Sequence, residues 1–409
     1  MKKVKIGVVG LGPTRGKALV WLLTQLSNAE VVSLCDVYED RIEENVEYLR
    51  SVGRPDPEKF TDYNEMIKKS NMDAIIISTS WAYHVDIAVC AMQKGITVGL
   101  EVGGAYSEED CWRLVRAYEQ TGTPFMFLEN CCYDRSELLA TSMVRNGVLG
   151  KVVAMSGEYS HDLRQEIITG REKRHYRLNN YMFRNCENYP THELGPIMKL
   201  LSINRGNRLV SLVSVANKPI GLKEYVKKIK REDFYDVEFA QSDVVYTTIQ
   251  CSGGEIINIK LCTTVPRYYD RAFVVQGTNG LFSQPLHSVF LDGDKDFDNS
   301  YETIKTILGN AKDYEEKYLP DIWKNISKEQ QELGHGGCDF LMMKEFVRCV
   351  AEGEEMPIDV YDAATMMCIS YLSEQSILHG GAPQAIPDFT RGKWITRLTK
   401  DVVEMPQVK

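Results

Sequence analysis

Short, continuously apolar runs alternate with helix-length amphipathic stretches through the first 130 residues, and this alternation limits the possible folds most strongly. The runs Val4–Val9, Val31–Cys35, Ala74–Ser78, Thr97–Leu100 and Pro124–Leu128 read as strands. A strand that is apolar along its whole length is buried on both faces, as in a parallel sheet covered by helices on each side. Lys17–Leu26, Arg41–Ser51, Tyr63–Lys69, Val85–Lys94 and Glu108–Thr121 read as the intervening helices. Ser107 followed by Glu108, Glu109 and Asp110 has the form of an N-cap with acids in the first turn. The pattern predicts a doubly wound α/β domain over residues 1–130.

The texture changes from residue 131. Glu137–Asn146 reads as a helix and Lys151–Tyr159 as a strand, followed by a polar, basic and aromatic stretch from Ser160 to Asn188. A stretch that long without clear periodicity is expected to be functional or partly structured. His192–Leu201 reads as a helix; Leu209–Ala216, Asp243–Cys251, Ile256–Thr263 and Phe273–Gln276 read as strands of an open, mostly antiparallel sheet. Asp339–Glu352 and Val360–Leu378 are helical again. The expectation is an α+β second domain over 131–409, completed by the C-terminal helices.

Composition narrows the partners. The 409 residues carry 48 Lys+Arg against 57 Asp+Glu, a net charge of -9, so a nucleic-acid partner is not expected. No apolar run reaches the roughly 18–20 residues of a membrane span. The apolar start at Val4 breaks into Gly10-Leu11-Gly12-Pro13, which reads as a buried first strand, not a signal peptide. With 11 Cys and no C-x-x-C pair, the chain reads as cytoplasmic, with Cys131-Cys132 as reduced packing residues. No H-E-x-x-H or cysteine-rich ligand spacing appears, so no metal is expected.

The first strand runs into Gly10-Leu11-Gly12-Pro13-Thr14-Arg15-Gly16 and then a helix. Glycines there permit a tight turn and close approach to a pyrophosphate, and the helix N-terminus offers unpaired N–H groups to it. This is the context of a Rossmann dinucleotide site, although the last glycine comes one residue late and Arg15 takes the usual third position. Asp36 ends the second strand, where an acid accepts hydrogen bonds from the adenosine ribose and repels a 2′-phosphate; NAD is therefore expected over NADP.

These features, with Thr79-Ser80-Trp81-Ala82-Tyr83-His84 after the third strand and Glu101-Val102 after the fourth, resemble the GFO/IDH/MocA oxidoreductases. Ordinary dehydrogenases of that superfamily carry Glu-Lys-Pro after the fourth strand; here Glu101-Val102-Gly103 lacks the lysine. The chain is similar to glycoside hydrolase family 109, the NAD-dependent α-N-acetylgalactosaminidases. The resemblance rests on Leu128-Glu129-Asn130-Cys131-Cys132-Tyr133, Tyr159-Ser160-His161-Asp162-Leu163-Arg164 and Asn188-Tyr189-Pro190-Thr191-His192. Thr263-Thr264-Val265-Pro266-Arg267-Tyr268-Tyr269, Gly334-His335-Gly336-Gly337 and Pro387-Asp388-Phe389-Thr390-Arg391-Gly392 extend it over nearly the whole chain.

The resemblance assigns NAD contacts to Thr14, Arg15, Asp36, Trp81, Ala82, Tyr83, His84, Glu101, Val102 and Asn130, beside the turn glycines Gly10 and Gly12. It assigns sugar contacts to Tyr159, Arg177, Tyr189, Pro190, Thr191, His192 and Tyr269. It implies hydrolysis by transient oxidation at sugar carbon 3, elimination, water addition and re-reduction, instead of the usual carboxylate pair. His192 is the expected base near the 3-hydroxyl, with Tyr159 as acid/base, Tyr189 beside it and Glu129 orienting a proton donor or the substrate. His161 and His335 are expected to be structural. The alternatives are an NAD-dependent sugar dehydrogenase that releases a keto sugar, and a sugar sensor that retains NAD. A homo-oligomer is a superfamily expectation.

Overall fold

The computed structural model describes residues 2–293 and 300–408. The chain divides into two compact units. The first holds the chain through Asn130 together with Glu172–Tyr176 and Ser327–Ala364. The second holds Cys131–Arg171, Arg177–Ile326 and the chain from Thr365. The first unit therefore includes segments that lie beyond residue 130 in sequence.

The first unit is built on strands β1 (Val4–Val9), β2 (Ala29–Cys35), β3 (Glu58–Phe60), β4 (Ala74–Ile77), β5 (Thr97–Glu101) and β6 (Phe125–Leu128). They form a 6-stranded sheet in the order β3-β2-β1-β4-β5-β6, with each pair parallel. Sequence order reverses at β1, which places a ligand crevice at the carboxyl ends of β1 and β4. Helices α1 (Arg15–Thr24), α2 (Glu39–Ser51), α3 (Tyr63–Lys69), α4 (Trp81–Gln93) and α5 (Glu108–Thr121) supply the crossovers. Every residue of β4, β5 and β6 is buried, as continuous apolar runs require. Ser107 caps α5 through its Oγ, which accepts from Asp110 N at 3.2 Å, and Gly122 ends the helix at φ +66.

Two local features differ from the sequence expectation. β3 is three residues long, polar and at the sheet edge, too brief to show a period. α4 starts at Trp81, not Val85, because extended Ser80 (φ -67, ψ 146) serves as the N-cap residue. Trp81 to His84 thus form its first turn, with Trp81 and His84 buried and Ala82 and Tyr83 exposed. The late helix Cys338–Glu352 packs on this unit; a Cβ at Gly99 on β5 would lie 3.0 Å from Phe346.

The second unit contains α6 (Arg135–Arg145), β7 (Val152–Ser160), α7 (Arg164–Ile168), α8 (Arg177–Phe183) and α9 (Thr191–Leu200). Strands β8 (Leu209–Ala216), β9 (Val244–Cys251), β10 (Ile256–Cys262), β11 (Val274–Gly277), β12 (Gly280–Ser283), β13 (Ser288–Leu291) and β14 (Gln384–Ala385) follow. The 8-stranded sheet runs β13-β12-β11-β7-β10-β9-β8-β14; β10 pairs parallel to β7 and the other pairs are antiparallel. The short strands β12, β13 and β14 were not anticipated from the sequence.

One glycine sets the geometry of this unit. A Cβ at Gly157 on β7 would lie 2.8 Å from Glu193 Cβ, so the missing side chain lets α9 rest directly on the strand. The far side of the sheet is open, with Val213, Val215, Tyr246 and Ile256 exposed. Among the described residues, no helix is long and apolar enough to cross a membrane.

Candidate active site

In the first unit, the glycine turn after β1 fits a dinucleotide. Gly10 has φ +91, and a Cβ there would sit 2.5 Å from the Ser78 backbone. A Cβ at Gly16 would meet the Gly10 carbonyl oxygen at 2.3 Å, so α1 sits tightly on the turn. Gly12 faces open space, with nothing within 4 Å of a built Cβ. Thr14 makes no side-chain cap to α1; of the first-turn amides, Lys17 N donates to the Gly12 carbonyl oxygen at 3.1 Å, and those of Arg15 and Gly16 are the ones suited to phosphate oxygens.

Asp36 Oδ2 accepts from Leu11 N at 2.7 Å and Oδ1 accepts from Tyr38 N at 3.0 Å, with Arg41 Nη1 3.7 Å away. Its carboxylate is thus fixed beside the turn and retains lone pairs for ribose hydroxyls. His84 is buried; its Nε2 meets the Thr79 carbonyl at 3.1 Å, and Nδ1 is a buried acceptor with no partner. Burial lowers its pKa to about 4, so the ring is neutral. That orphaned nitrogen is the feature that most favours a bound group with an O–H or N–H to donate.

A charged cluster joins the remaining cofactor candidates. Arg15 Nη2 donates to Glu101 Oε1 at 2.7 Å and Arg15 Nη1 to Asp339 Oδ2 at 2.8 Å. Asp339 also accepts from Asn130 Nδ2 at 2.7 Å and lies 2.6 Å from His335 Nδ1. Burial opposes ionisation of Asp339, but Arg15 and His335 hold it well below the usual carboxylate range. Burial raises the pKa of Glu101, with Arg15 opposing the shift. The Asp339 hydrogen bond raises His335, a ring expected to be structural. Asp339 was missed in the sequence, though it lies just past the Gly334-His335-Gly336-Gly337 string. Val102 and Glu129 are both buried in this unit, Glu129 just past the end of β6.

In the second unit, α9 and β7 bring together an aromatic group. The Tyr159 and Tyr189 ring centroids are 4.5 Å apart, and His192 lies 5.6 Å from Tyr159 and 4.8 Å from Tyr189. Tyr269 is 6.3 Å from Tyr159 and 5.3 Å from His161. The Arg177 guanidinium stands 4.9 Å from the Tyr189 ring centre and its Nε is 2.8 Å from Glu166 Oε1. Pro190 and Thr191 are buried at the start of α9, and Thr191 Oγ1 has no hydrogen-bond partner. Five sequence-predicted sugar contacts therefore stand together around the helix start, with Tyr159 and Tyr269 beside them.

Sequence reasoning gave His161 only a structural role and did not single out Arg271. Tyr159 Oη lies 3.3 Å from His161 Nδ1. The spacing was a usable signal, since residues two apart on an extended strand share a face. Burial raises the Tyr159 pKa, with Arg177 opposing, so its phenol is protonated near neutrality. Burial and then Arg177 lower His161, which favours the neutral ring, whose Nδ1 can accept a hydrogen bond from the phenol. Arg271 Nη1 donates to Tyr269 Oη at 3.3 Å, and its Nε donates to Glu137 Oε1 at 2.8 Å. Asp134 holds Arg271 Nη2 at 2.9 Å while its Oδ1 caps α6 by accepting from Ser136 N. Burial also raises the pKa of Tyr269, which leaves it a hydrogen-bond donor.

A dinucleotide-type sheet in one unit and, in the other, a group of rings with buried Tyr159 and Tyr189 and half-buried His161 and His192 define an enzyme of oxidoreductase architecture. Residues 4–128 match the family model described as oxidoreductase family, NAD-binding Rossmann fold. Residues 133–396 match glycosyl hydrolase 109, C-terminal domain. A glycosyl hydrolase family 109 protein of Solibacter usitatus is 34% identical over 403 residues, covering 96% of this chain and 90% of that one. An alpha-N-acetylgalactosaminidase of Tannerella forsythia is 32% identical over 419 residues, covering 96% and 88%. The fold is similar to scyllo-inositol dehydrogenase from Lactobacillus casei with bound NAD(H) and scyllo-inositol (TM-score 0.65, 13% identity, 94% and 99% covered). The chain belongs to glycosyl hydrolase family 109 and is a glycoside hydrolase.

Proposed function

We propose that the protein hydrolyses α-N-acetylgalactosaminides or related glycosides with NAD as a resident cofactor. The observation that carries this reading is the convergence of Tyr159, Tyr189 and His192 in a family whose named relatives include alpha-N-acetylgalactosaminidases. Gly10, Gly12, Thr14, Arg15, Asp36, Trp81, Ala82, Tyr83, His84, Glu101, Val102 and Asn130 would hold the dinucleotide. When bound, NAD supplies reversible hydride acceptance at the sugar.

The protein's own groups supply binding and proton transfer. His192 takes and returns the proton of a ring hydroxyl. Tyr159, protonated near neutrality, donates to the departing glycosidic oxygen, and His161 Nδ1, 3.3 Å from its Oη, orients the phenol. Tyr189 and Tyr269 pack on the apolar face of the sugar, and Arg177, Pro190 and Thr191 fix its hydroxyls. Glu129 orients a proton donor or the substrate.

Eleven free thiols, nearly all buried, support a cytoplasmic setting. The open sheet face with Val213, Val215, Tyr246 and Ile256 supports a homo-oligomer. The decisive assay is a nitrophenyl glycoside panel followed simultaneously for nitrophenol and for nicotinamide absorbance. Aglycone release without net NADH is expected. Stoichiometric NADH without aglycone release would instead favour the sugar dehydrogenase.

A further inference from the structure

We infer that Glu172–Tyr176 is a strap that closes over the dinucleotide and that Arg174 and Tyr176 are cofactor-retaining residues. This rests on the NAD reading above. The five residues belong to the first unit, although the residues on either side of them belong to the second. Both ends of the strap are anchored at carboxyl ends of the parallel sheet.

One anchor lies just past β2. Arg41 Nη2 donates to the carbonyl oxygens of Lys173 at 3.0 Å and Arg174 at 3.2 Å. Arg174 reaches back to Asp40 with Nη1 at 3.1 Å and Nη2 at 2.5 Å. The guanidinium groups of Arg41 and Arg174 lie 4.7 and 4.2 Å from the Tyr38 ring centre. The other anchor lies just past β4, where Tyr176 packs on Trp81 with centroids 5.1 Å apart. His175 stacks on Tyr176 at 4.7 Å.

β1 lies between β2 and β4 in the sheet, so the strands that lead to the two anchors stand about 10 Å apart at the usual strand spacing. The direct path between them crosses the carboxyl end of β1, where the glycine turn lies. Asp36, the turn and Trp81 are the positions for ribose, pyrophosphate and the far half of the cofactor. A dinucleotide extended along these strand ends would lie under the strap. Arg174 has φ +51, a left-handed conformation that non-glycine residues rarely adopt. The bend is thus held by its anchors and not by local preference.

Retention suits a redox-neutral cycle. An enzyme that returns its hydride to the same sugar gains nothing from releasing the cofactor, whereas a net dehydrogenase must exchange it every turnover. The exposed Arg174–Asp40 pair contributes little alone; Tyr176 on buried Trp81 is the stronger anchor.

The test uses full-length protein loaded with NAD+, freed of excess by gel filtration and followed for released dinucleotide, with thermal melting as the folding control. Tyr176→Ala is expected to release NAD+ at least tenfold faster than wild type, Arg174→Ala severalfold faster, and Tyr176→Phe at the wild-type rate. Equal release from folded Tyr176→Ala would overturn the strap. If that variant does not fold, Arg174→Ala decides, and an unchanged rate there overturns the strap. A wild type that binds NAD+ but loses it within seconds also overturns retention while leaving the cofactor reading intact. A wild type that binds no dinucleotide overturns the cofactor reading itself.

Discussion

In the first unit the candidate site is tied together by charge, and in the second by rings. Arg15, Glu101, Asp339 and His335 form a closed set of ion pairs and charge-assisted hydrogen bonds. Tyr159, Tyr189, His192, His161 and Tyr269 meet mainly edge to face. The difference follows from the ligands proposed for each. A dinucleotide carries fixed charge, and a paired, preorganised cluster can meet it without rearranging. A sugar presents C–H faces and hydroxyls, so rings supply contact area and phenol and imidazole groups move protons. Burial serves both: it strengthens the ion pairs of the first unit and raises the phenol pKa values in the second.

The largest expected effect breaks the charged side of the comparison. Asp339→Ala takes away one of the two carboxylates on half-buried Arg15 and the partner of Asn130, and should lower stability by about 2–3 kcal/mol, read from denaturant unfolding. A loss below about 1 kcal/mol would show that the cluster is not structurally coupled.

Next comes the ring side. His192→Ala should lower turnover by at least ~100-fold with bound NAD content unchanged, the low end for general acid–base catalysis. Near-normal activity in the folded variant would reject His192 as the base. Arg271→Gln should act less strongly and mainly on KM, since Arg271 touches Tyr269 and is placed as a positioning residue; Arg271→Lys should restore part of the loss. An effect on kcat alone would contradict that role.

The smallest effect concerns pH. Asp339 has a depressed folded pKa, so its contribution is present above about pH 4 and is lost as pH falls through the folded value. His335 has a raised folded pKa, so its contribution is full below about pH 6.5 and fades as pH rises through the folded value. The stability difference between wild type and His335→Gln should therefore shrink between pH 6 and pH 9. A difference that grows over this interval would reverse the assignment.

The parallel sheet was legible because each long strand is continuously apolar, and α5 because Ser107 and the acids after it mark its start. β3 was not legible, since Glu58–Phe60 is too short and polar to show a period. The packing of Cys338–Glu352 on the first unit depends on contacts such as Phe346 against Gly99, which no local pattern records. The same reason hides Asp339 and Arg271: each matters through a partner far away in sequence, Arg15 for one and Glu137 for the other. Tyr159, Tyr189 and His192 were legible from their strings, but their convergence requires Gly157, whose role appears only when α9 lies on β7.

The central claim is that the glycosidic bond is broken through oxidation of the sugar and loss of its carbon 2 proton. Hydrolysis of a nitrophenyl glycoside in D2O, with the released sugar examined by NMR, tests it directly. Deuterium on carbon 2 of the product is expected at completion; a product with carbon 2 fully protonated would rule out this route.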